Sequence, residues 1–280
     1  MTQRLLLSTR AFQTACTALP VRVPVLSASS CLPGLLILMI LLLMLPGCAG
    51  KRPATPVDPS AASAAWQGMQ ANFAKAPAPF RDNLSLRFGQ EGNTRRVTAL
   101  LWGNGDRTLR LDVQAGIGAT IAKIAQKDHH FLVYTPLEEK AYFHEGASSP
   151  LLKIGVPLPL DLFGLDALLH GRLTTVFGST YTAVTRDGDD LAFQCEGGMG
   201  GTLVLASDGR PLRWFNDTWR MELTLDEHNS VQWVNLVTVR GDRAIVLVKS
   251  REAVPAFTAA QMRLELPEGT QLLPLEDFVR

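Results

Sequence analysis

The sequence predicts a mainly β protein built on one large, strongly curved antiparallel meander with a short helical insertion. The first observation is an alternation of apolar and polar residues, which recurs from residue 81 onward and is typical of strands with one dry face. The second is that Asn-Gly and Asp-Gly pairs separate the alternating stretches at short spacing. These signals give about a dozen candidate strands, too many for a small sandwich.

The N-terminal segment has the features of an export signal. Residues 35–45 are apolar without interruption, which is about the length of a signal-peptide core and shorter than the roughly 20 residues of a transmembrane span. The residues before them carry three arginines and no acidic residue. We therefore predict a signal peptide over residues 1–47. The alternative is a signal-anchor helix with an incidental cysteine behind it.

That cysteine follows the predicted signal directly. Residues 45–48 read Leu-Pro-Gly-Cys and resemble the lipobox of bacterial lipoproteins, in which the cysteine is diacylated on sulfur and becomes the new N-terminus. The resemblance implies that Cys48 carries a lipid anchor. Ala49 follows it, whereas an aspartate at that position retains enterobacterial lipoproteins in the inner membrane. The expected location is therefore the periplasmic side of the outer membrane.

The charge balance of the mature chain excludes one class of partner. Removing residues 1–47 takes away three of the 27 basic residues and none of the 26 acidic ones, which leaves a net charge near −2. Nucleic-acid binding depends on clustered cationic charge, so no nucleic-acid partner is expected. Residues 48–59 contain three prolines and few apolar side chains, and we predict an extended tether there. Residues 60–280 then form one β domain.

An amphipathic helix opens this domain. Residues 60–74 are rich in alanine and place Trp66, Met69 and Phe73 on one helical face. The prolines that follow end the helix, and its apolar face is predicted to pack on the sheet.

The strands show their alternation most clearly in residues 108–114, where Leu109, Leu111 and Val113 fall on one face and polar side chains on the other. The same pattern recurs in Leu84-Leu86-Phe88, Leu191-Phe193-Cys195, Trp219-Met221-Leu223-Leu225, Trp233-Asn235-Val237 and Met262-Leu264-Leu266. Tight turns are predicted at Asn104-Gly105, Asp187-Gly188, Asp208-Gly209 and Gly241-Asp242.

One helical segment interrupts the meander. Residues 149–171 are helical in their second half, with Asp161 as the predicted N-cap and Gly171 as the stop. The helix is apolar nearly all round, so it must be covered on most sides or cover something apolar itself. Its place between two halves of a curved sheet predicts a plug or a lid across the concave face.

Three short stretches carry a family resemblance. Residues 110–120 read RLDVQAGIGAT, residues 156–160 read VPLPL and lead into the predicted helix, and Asp208-Gly209-Arg210 is followed by Trp219-Arg220. In this order they resemble the outer-membrane lipoprotein receptor LolB and the wider family of LolA-like lipoprotein localisation factors. The resemblance implies an incomplete, half-open antiparallel β-barrel with a helical lid.

The same resemblance implies a function and its partners. The protein would bind the acyl chains of lipoproteins in an apolar cavity, receive them from a periplasmic carrier of the LolA type and insert them into membrane lipid, acting as a monomer. Family members carry an apolar residue on a protruding loop, where this chain has Ile117 between Gly116 and Gly118. From the residues alone, Ile117 either stands at the loop tip or tucks back into the core. A strand predicted at residues 262–266 extends the chain as in the carrier branch.

The predicted cavity combines one face of the strands with the apolar helix. Its expected lining is Leu109, Leu111, Val113, Leu162, Phe163, Leu165, Trp219 and Leu223. The alternative function is a structural or partner-docking envelope lipoprotein whose curved sheet is filled by its own side chains. An empty apolar cavity favours the first reading, and a core solid with aromatic side chains favours the second.

Signals for an enzyme are weak. His129, His130, His144 and Glu145 flank one predicted hairpin, but neighbours on a strand point to opposite faces, so at most two of the four share one side. The glycine-rich residues 197–201 open no helix that would hold a phosphate. Cys195 lies on the apolar side of its strand, where a thiol is normally inert. We expect no catalytic residue, metal or cofactor.

Overall fold

The computed structural model describes residues 56–73, 76, 78–90, 92–105, 107–116, 118–146 and 149–278. The predicted signal peptide, Cys48 and Ile117 lie outside these ranges. Within them, no helix combines the length and the apolar character needed to cross a membrane.

A single sheet of 14 strands organises the described chain. The strands are β1 Phe80–Gln90, β2 Asn93–Gly103, β3 Thr108–Gln114, β4 Thr120–Lys127, β5 His130–Thr135, β6 Lys140–Glu145, β7 Thr180–Asp187, β8 Asp190–Glu196, β9 Thr202–Leu205, β10 Pro211–Phe215, β11 Trp219–Leu225, β12 Val231–Thr238, β13 Asp242–Ala253 and β14 Gln271–Pro274. Their spatial order is β14-β6-β5-β4-β3-β2-β1-β13-β12-β11-β10-β9-β8-β7.

The sheet consists of two meanders that meet in its middle. Strands β1 to β6 form one, strands β7 to β13 form the other, and β1 pairs with β13 along its whole length. All neighbours are antiparallel except β14, which runs parallel to β6. The outermost strands β7 and β14 do not pair with each other, so the sheet is open rather than a closed barrel. The predicted fold class, mainly β with a half-open antiparallel sheet and helices, is confirmed.

Five helices accompany the sheet within the described ranges. They are α1 Pro59–Asn72, α2 Pro150–Lys153, α3 Leu162–Leu169, α4 Leu173–Phe177 and α5 Ala259–Met262, and a 3-10 helix covers Leu275–Asp277. We call the face whose side chains pack with α1 and α3 the inner face, and the opposite face the outer face. The hydrophobic core lies between the inner face and these helices.

Helix α1 begins where local sequence signals place it. The side chain of Asp58 caps it by accepting a hydrogen bond from the backbone N–H of Ser60 at 2.9 Å. Trp66 and Met69 are buried, and the ring of Trp66 lies 5.1 Å from that of Phe193 in β8. The amphipathic helix predicted over residues 60–74 is therefore confirmed and packs on the sheet as expected.

The predicted tight turns are also present. Gly105, Gly188, Gly209 and Gly241 all have positive φ, between 68° and 85°, in the connections β2–β3, β7–β8, β9–β10 and β12–β13. Glycine adopts such angles without steric cost, which is why these pairs mark the hairpins.

The prediction for β12 is wrong about which face is buried. Trp233 and Val237 are partly exposed on the outer face, whereas Val234 and Leu236 are fully buried on the inner face. A register shift opposite Thr224 places an extra residue in this strand. Both faces of the strand are rich in apolar residues, so alternation alone does not identify the inner one.

The strand predicted at residues 262–266 is wrong as well. Met262 ends helix α5, whose N-cap residue Thr258 forms a complete capping box with Gln261. The chain then runs on without regular structure until β14. Met262 is buried, but the alternation of apolar residues here reflects packing of an irregular segment, and pairing occurs only beside β6.

Candidate functional site

An apolar cavity of about 130 Å³ lies between the inner face of the sheet and the segment that includes α2. Its lining is Leu86, Phe88, Val97, Leu111, Val113, Ile121, Ala122, Ile124, Val133, Thr135, Leu151, Ile154, Val156, Leu158, Leu165 and Phe278. Thr135 is the one polar residue of this lining, and its hydroxyl donates to the carbonyl of Lys140 at 3.2 Å. The wall therefore offers a ligand almost no hydrogen-bonding group.

The size of the cavity limits what it holds. Apolar cavities of about 150 Å³ stay dry and accept a ligand the size of benzene. A cavity of about 130 Å³ therefore accommodates a few methylene groups but not a complete acyl chain. Ile121, at the start of β4, is 42% exposed and marks the mouth of the cavity. We call the end of the sheet that contains this mouth the mouth end.

One wall of the cavity is a short stretch of chain, residues 151–158, which we call the partition segment. Leu151, Ile154, Val156 and Leu158 face the cavity, whereas Leu152, Gly155 and Pro157 line a separate cleft of about 420 Å³ on the other side. This cleft also contacts the β10–β11 and β12–β13 turns. The partition segment thus separates a small apolar cavity from a larger open one.

The partition segment is held by its buried side chains, among them Leu151 and Leu158, and by hydrogen bonds within its own backbone. The N–H groups of Gly155 and Val156 donate to the carbonyls of Leu152 and Leu151, at 3.1 and 3.0 Å. Lys153 adds an ion pair, with Nζ 2.6 Å from Oε1 of Glu276 in the C-terminal 3-10 helix. Because the segment belongs to no strand of the sheet, its displacement would leave the sheet ladder intact.

Helix α3 is fixed at its N-terminus by two polar side chains. Asp161 accepts a hydrogen bond from the N–H of Gly164 at 2.7 Å, as an N-cap does. Gln126 of β4 is buried, and its amide donates to Asp161 at 2.7 Å and accepts from the N–H of Leu162 at 2.8 Å. The N-cap and the stop at Gly171, which has φ +73°, confirm the predicted helix.

A buried charge cluster fixes the other end of α3. His170 lies between two carboxylates, with Nε2 3.4 Å from Oδ2 of Asp82 and Nδ1 2.8 Å from Oδ1 of Asp166. Arg172 pairs with Asp166, and Nη2 of Arg251 donates to the carbonyl of Leu169 at 3.0 Å. The C-terminus of the helix is thereby tied to strands β1 and β13.

Asp82 is the least satisfied member of this cluster. It is fully buried, and neither of its oxygens accepts a hydrogen bond within the described chain. Burial, which removes the carboxylate from water, raises the pKa of Asp82, although His170 and Arg251 act in the opposite direction. Sequence reasoning missed this group and Gln126, because each is a single polar residue at an inner position of a strand.

The structure distributes the predicted lining residues over several sites. Leu111, Val113 and Leu165 line the cavity. Leu109 and Leu162 are completely buried in solid core, and Leu223 is buried there too. Phe163 faces a cleft on the far side of α3, where its ring lies 5.8 Å from the guanidinium of Arg107, and Trp219 lines the cleft behind the partition segment. Strand β3 and helix α3 thus reach the cavity with one face each.

Gly116 and Gly118 lie in the tight β3–β4 turn. Both are exposed, and the N–H of Gly118, which has φ +87°, donates to the carbonyl of Ala115 at 2.8 Å. This turn joins strands whose pairing ends at Gln114 and Thr120, next to Ile121 at the cavity mouth. Ile117 itself lies outside the described residues.

The histidines of the β5–β6 hairpin do not converge. Nδ1 of His130 lies 3.0 Å from Glu145 on the surface, whereas Nδ1 of His144 lies 3.6 Å from Glu276. Over the described ranges, no three histidine, cysteine or acidic side chains are arranged so that they could hold a metal ion. Cys195 is buried, and burial raises the pKa of its thiol to about 11, as expected for inert packing.

Comparison with known proteins places the fold. No protein-family model matches the chain, and neither does a curated protein sequence. Among solved structures, a LolA superfamily protein, NE2245 from Nitrosomonas europaea, superposes with a TM-score of 0.51 at 8% identity, over 71% of this chain and 97% of that one. This similarity shows the fold alone. The chain therefore has a LolA-like fold, the class that the open sheet and its helices define.

Two further structures superpose less closely. A DUF1329 family protein from Desulfovibrio piger gives a TM-score of 0.48 at 9% identity, over 72% of this chain and 96% of that one. A putative outer membrane lipoprotein-sorting protein domain from Vibrio parahaemolyticus gives 0.45 at 8% identity, over 72% and 97%. Neither adds to the assignment of the fold.

Proposed function

We propose that this protein is an outer-membrane lipoprotein that binds the acyl chains of other lipoproteins and inserts them into the outer membrane. The observation that carries this proposal is the apolar cavity under the partition segment, on a sheet of LolA-like fold. A cavity wall with almost no hydrogen-bonding groups favours hydrocarbon over polar ligands. Its partners would be acylated lipoproteins, a periplasmic carrier of the LolA type and membrane lipid.

The physical basis of transfer is a gradient of burial. Each methylene moved from water into an apolar environment is stabilised by about 0.8 kcal/mol, so an acyl chain leaves its carrier only for another apolar site. The cavity of about 130 Å³ is too small to hold a complete acyl chain. Displacing the partition segment would join it to the cleft of about 420 Å³ and give the chain room.

Displacement of a fluorescent fatty acid from the purified protein tests acyl binding. Leu111→Glu places an unpaired charge against the apolar wall and should abolish binding, or folding, which circular dichroism would reveal. The matched control is Leu137→Glu, because Leu137 is 94% exposed in the β5–β6 turn. If the wild-type protein binds no acylated probe below the critical micelle concentration of that probe, the proposal is refuted. The alternative, a structural or partner-docking lipoprotein, is then favoured.

Delivery into the membrane is proposed to depend on Ile117. One apolar side chain entering the headgroup region gains about 1.5–3 kcal/mol, which is enough to orient a tethered protein but too little to anchor it. Ile117→Glu should therefore leave folding and acyl binding near normal while stopping transfer of bound lipoprotein into liposomes. If the variant still transfers lipoprotein normally, residues other than Ile117 carry out membrane insertion. If the variant does not fold, Ile117 belongs to the hydrophobic core.

A further inference from the structure

A group of five arginines lies at the mouth end of the sheet, on or beside the outer face of its central strands. They are Arg87 in β1, Arg96 in β2, Arg220 in β11, Arg240 in the β12–β13 turn and Arg243 in β13. Four of them are exposed and Arg243 is half-buried. We call this group the arginine band.

The pairing register places these arginines close together. Arg87 stands directly opposite Arg96 in the ladder between β1 and β2. Arg243 pairs with Val237, and Val237 pairs in turn with Arg220. Because residues opposite each other on one face of a sheet have adjacent side chains, the band extends across five neighbouring strands, with Val237 of β12 between Arg243 and Arg220.

No arginine of the band has a carboxylate as a direct partner within the described chain. Arg96 donates through Nε to the hydroxyl of Ser85 at 3.0 Å, and Arg243 donates through Nε to Asn235 at 2.8 Å, but none of the five forms an ion pair there. The nearby carboxylate of Glu222 accepts from Asn235 instead. Like charges placed opposite each other, as at Arg87 and Arg96, are unfavourable without a counter-charge.

Apolar side chains interleave with the band. Val237 and Ile245 lie between its arginines on the outer face, and Val239, next to Arg240, is 69% exposed at the tip of the β12–β13 turn. Basic residues surrounding an exposed apolar tip are typical of surfaces that lie on anionic membranes, where the apolar tip enters the boundary and the cations meet phosphates.

The band also lies at the mouth end of the sheet, where a membrane that receives acyl chains from the cavity would be located. Gln90 of β1 pairs with Asp242, the first residue after the β12–β13 turn, so this turn lies at the same end as the β3–β4 turn. Val239 lines the cleft behind the partition segment. A membrane at this end of the sheet would therefore lie next to both the cleft and the cavity mouth.

We propose that the arginine band docks the protein on anionic phospholipid with its mouth end toward the headgroups. This inference rests on the proposed function for its purpose, since docking brings the cavity to the lipid that receives the cargo. An acidic protein is the other partner with matching charge. The exposed apolar tip at Val239 and the common direction of both cavities favour the lipid surface.

The test uses the full-length protein purified from cells, with a polarity-sensitive fluorophore attached at Val239→Cys, and reconstituted into vesicles. The buried Cys195 is shielded from the label. In phosphatidylcholine vesicles containing phosphatidylglycerol, the emission should shift to the blue as the tip enters the headgroup region. Pure phosphatidylcholine, or salt near 1 M that shortens the Debye length to about 3 Å, should abolish the shift.

Arginine variants identify the residues responsible. Arg220→Gln and Arg243→Gln should each lower the ratio of docked to undocked protein roughly fivefold. Arg210→Gln is the matched control, because Arg210 is exposed in the β9–β10 turn at the opposite end of the sheet. A shift that is independent of phosphatidylglycerol, or equal in all three variants, would overturn the proposal and leave the band to an acidic protein.

Fatty-acid displacement on the same variants keeps the two proposals apart. Both band variants should bind the acyl probe as the wild-type protein does, since neither arginine lines the cavity. Docking without any acyl binding would refute the proposed function and support this inference. Acyl binding without lipid-dependent docking would support the proposed function and refute this inference.

Discussion

Asp82 is a fully buried carboxylate, next to the C-terminus of α3, whose oxygens accept no hydrogen bond within the described chain. Its carboxylate lies near His170 and Arg251, which lower its pKa, and the negative charge of Asp166 raises it. The free energy lost when the carboxylate is removed from water exceeds the electrostatic stabilisation from His170 and Arg251. The pKa of Asp82 is therefore raised. The group binds its proton more tightly in the folded state than in the unfolded chain.

The substitution Asp82→Asn tests this at the scale of one residue. The unfolded chain loses the Asp82 proton as pH rises past the unfolded pKa of about 3.9, whereas the folded protein keeps that proton to higher pH. Deprotonation therefore favours the unfolded state, and the free energy of unfolding falls until pH passes the folded pKa of Asp82. The asparagine variant lacks this fall and should gain stability relative to wild type across that window. Urea unfolding at a series of pH values measures the difference.

Asp189→Asn is the control for that comparison, because Asp189 is exposed in the β7–β8 turn. Its free energy of unfolding should follow that of wild type at each pH. Parallel curves for Asp82→Asn and wild type would contradict the assignment.

Residues with purely local roles could be predicted from sequence. The N-cap at Asp161 and the stop at Gly171 are set by the chemistry of a few neighbouring residues, and both are where the sequence predicts them. Gln126 and Asp82 escaped prediction because their partners come from distant parts of the chain. The local sequence pattern of a strand does not indicate a hydrogen-bond or charge partner that lies far away in the chain.

Among the elements, the C-terminal segment has a direct effect on the cavity. After β14, the 3-10 helix places Phe278 in the cavity wall, where its ring lies 5.0 Å from that of Tyr142. The ion pair between Lys153 and Glu276 joins the same helix to α2. The C-terminus therefore helps to hold the cavity small.

Phe278→Ala should enlarge the cavity and strengthen acyl binding. Every additional methylene that becomes buried contributes about 0.8 kcal/mol, or roughly a fourfold lower Kd, so longer fatty acids should gain more than shorter ones. A series of fatty acids of increasing length, each competing with one fluorescent probe, measures this. Phe257→Ala is the control, since Phe257 lies near Arg81 and outside the cavity. Weaker binding of every chain length would show that Phe278 contacts the ligand instead.

The elements that the sequence predicted wrongly share a physical cause. In β12, a register shift and apolar residues on both faces prevent the sequence pattern from identifying the inner face. In the C-terminal segment, the position of the strand depends on pairing with β6 rather than on its own residues. Helix α3 and the four glycine turns were predictable because hydrophobic content, caps and positive φ are local properties. The partition segment has no such signal, since its two sides differ only in what the rest of the fold places beside them.

For the whole molecule, the proposed membrane anchor has its own test. If Cys48 is lipidated after signal cleavage, Cys48→Ala should leave an uncleaved precursor, because the lipid is attached before the lipobox is cut. Membrane fractionation and mass measurement of the N-terminus distinguish the two forms. A Cys195→Ala variant is the control and should be processed normally. Mature, membrane-bound protein from the Cys48→Ala gene would refute the lipoprotein assignment.

The meeting of β1 and β13 in the middle of the sheet has a consequence for how the chain folds. Asn83 and Ser250, which are neighbours across this seam, are 167 residues apart in sequence. Contacts of such long range form slowly, because closing a large loop costs entropy before any contact compensates for it. A chain that emerges N-terminus first can complete the β1–β6 meander early, yet β1 keeps an open edge until β13 arrives. An open edge pairs readily with other chains, so β1 is exposed to intermolecular pairing until the seam closes.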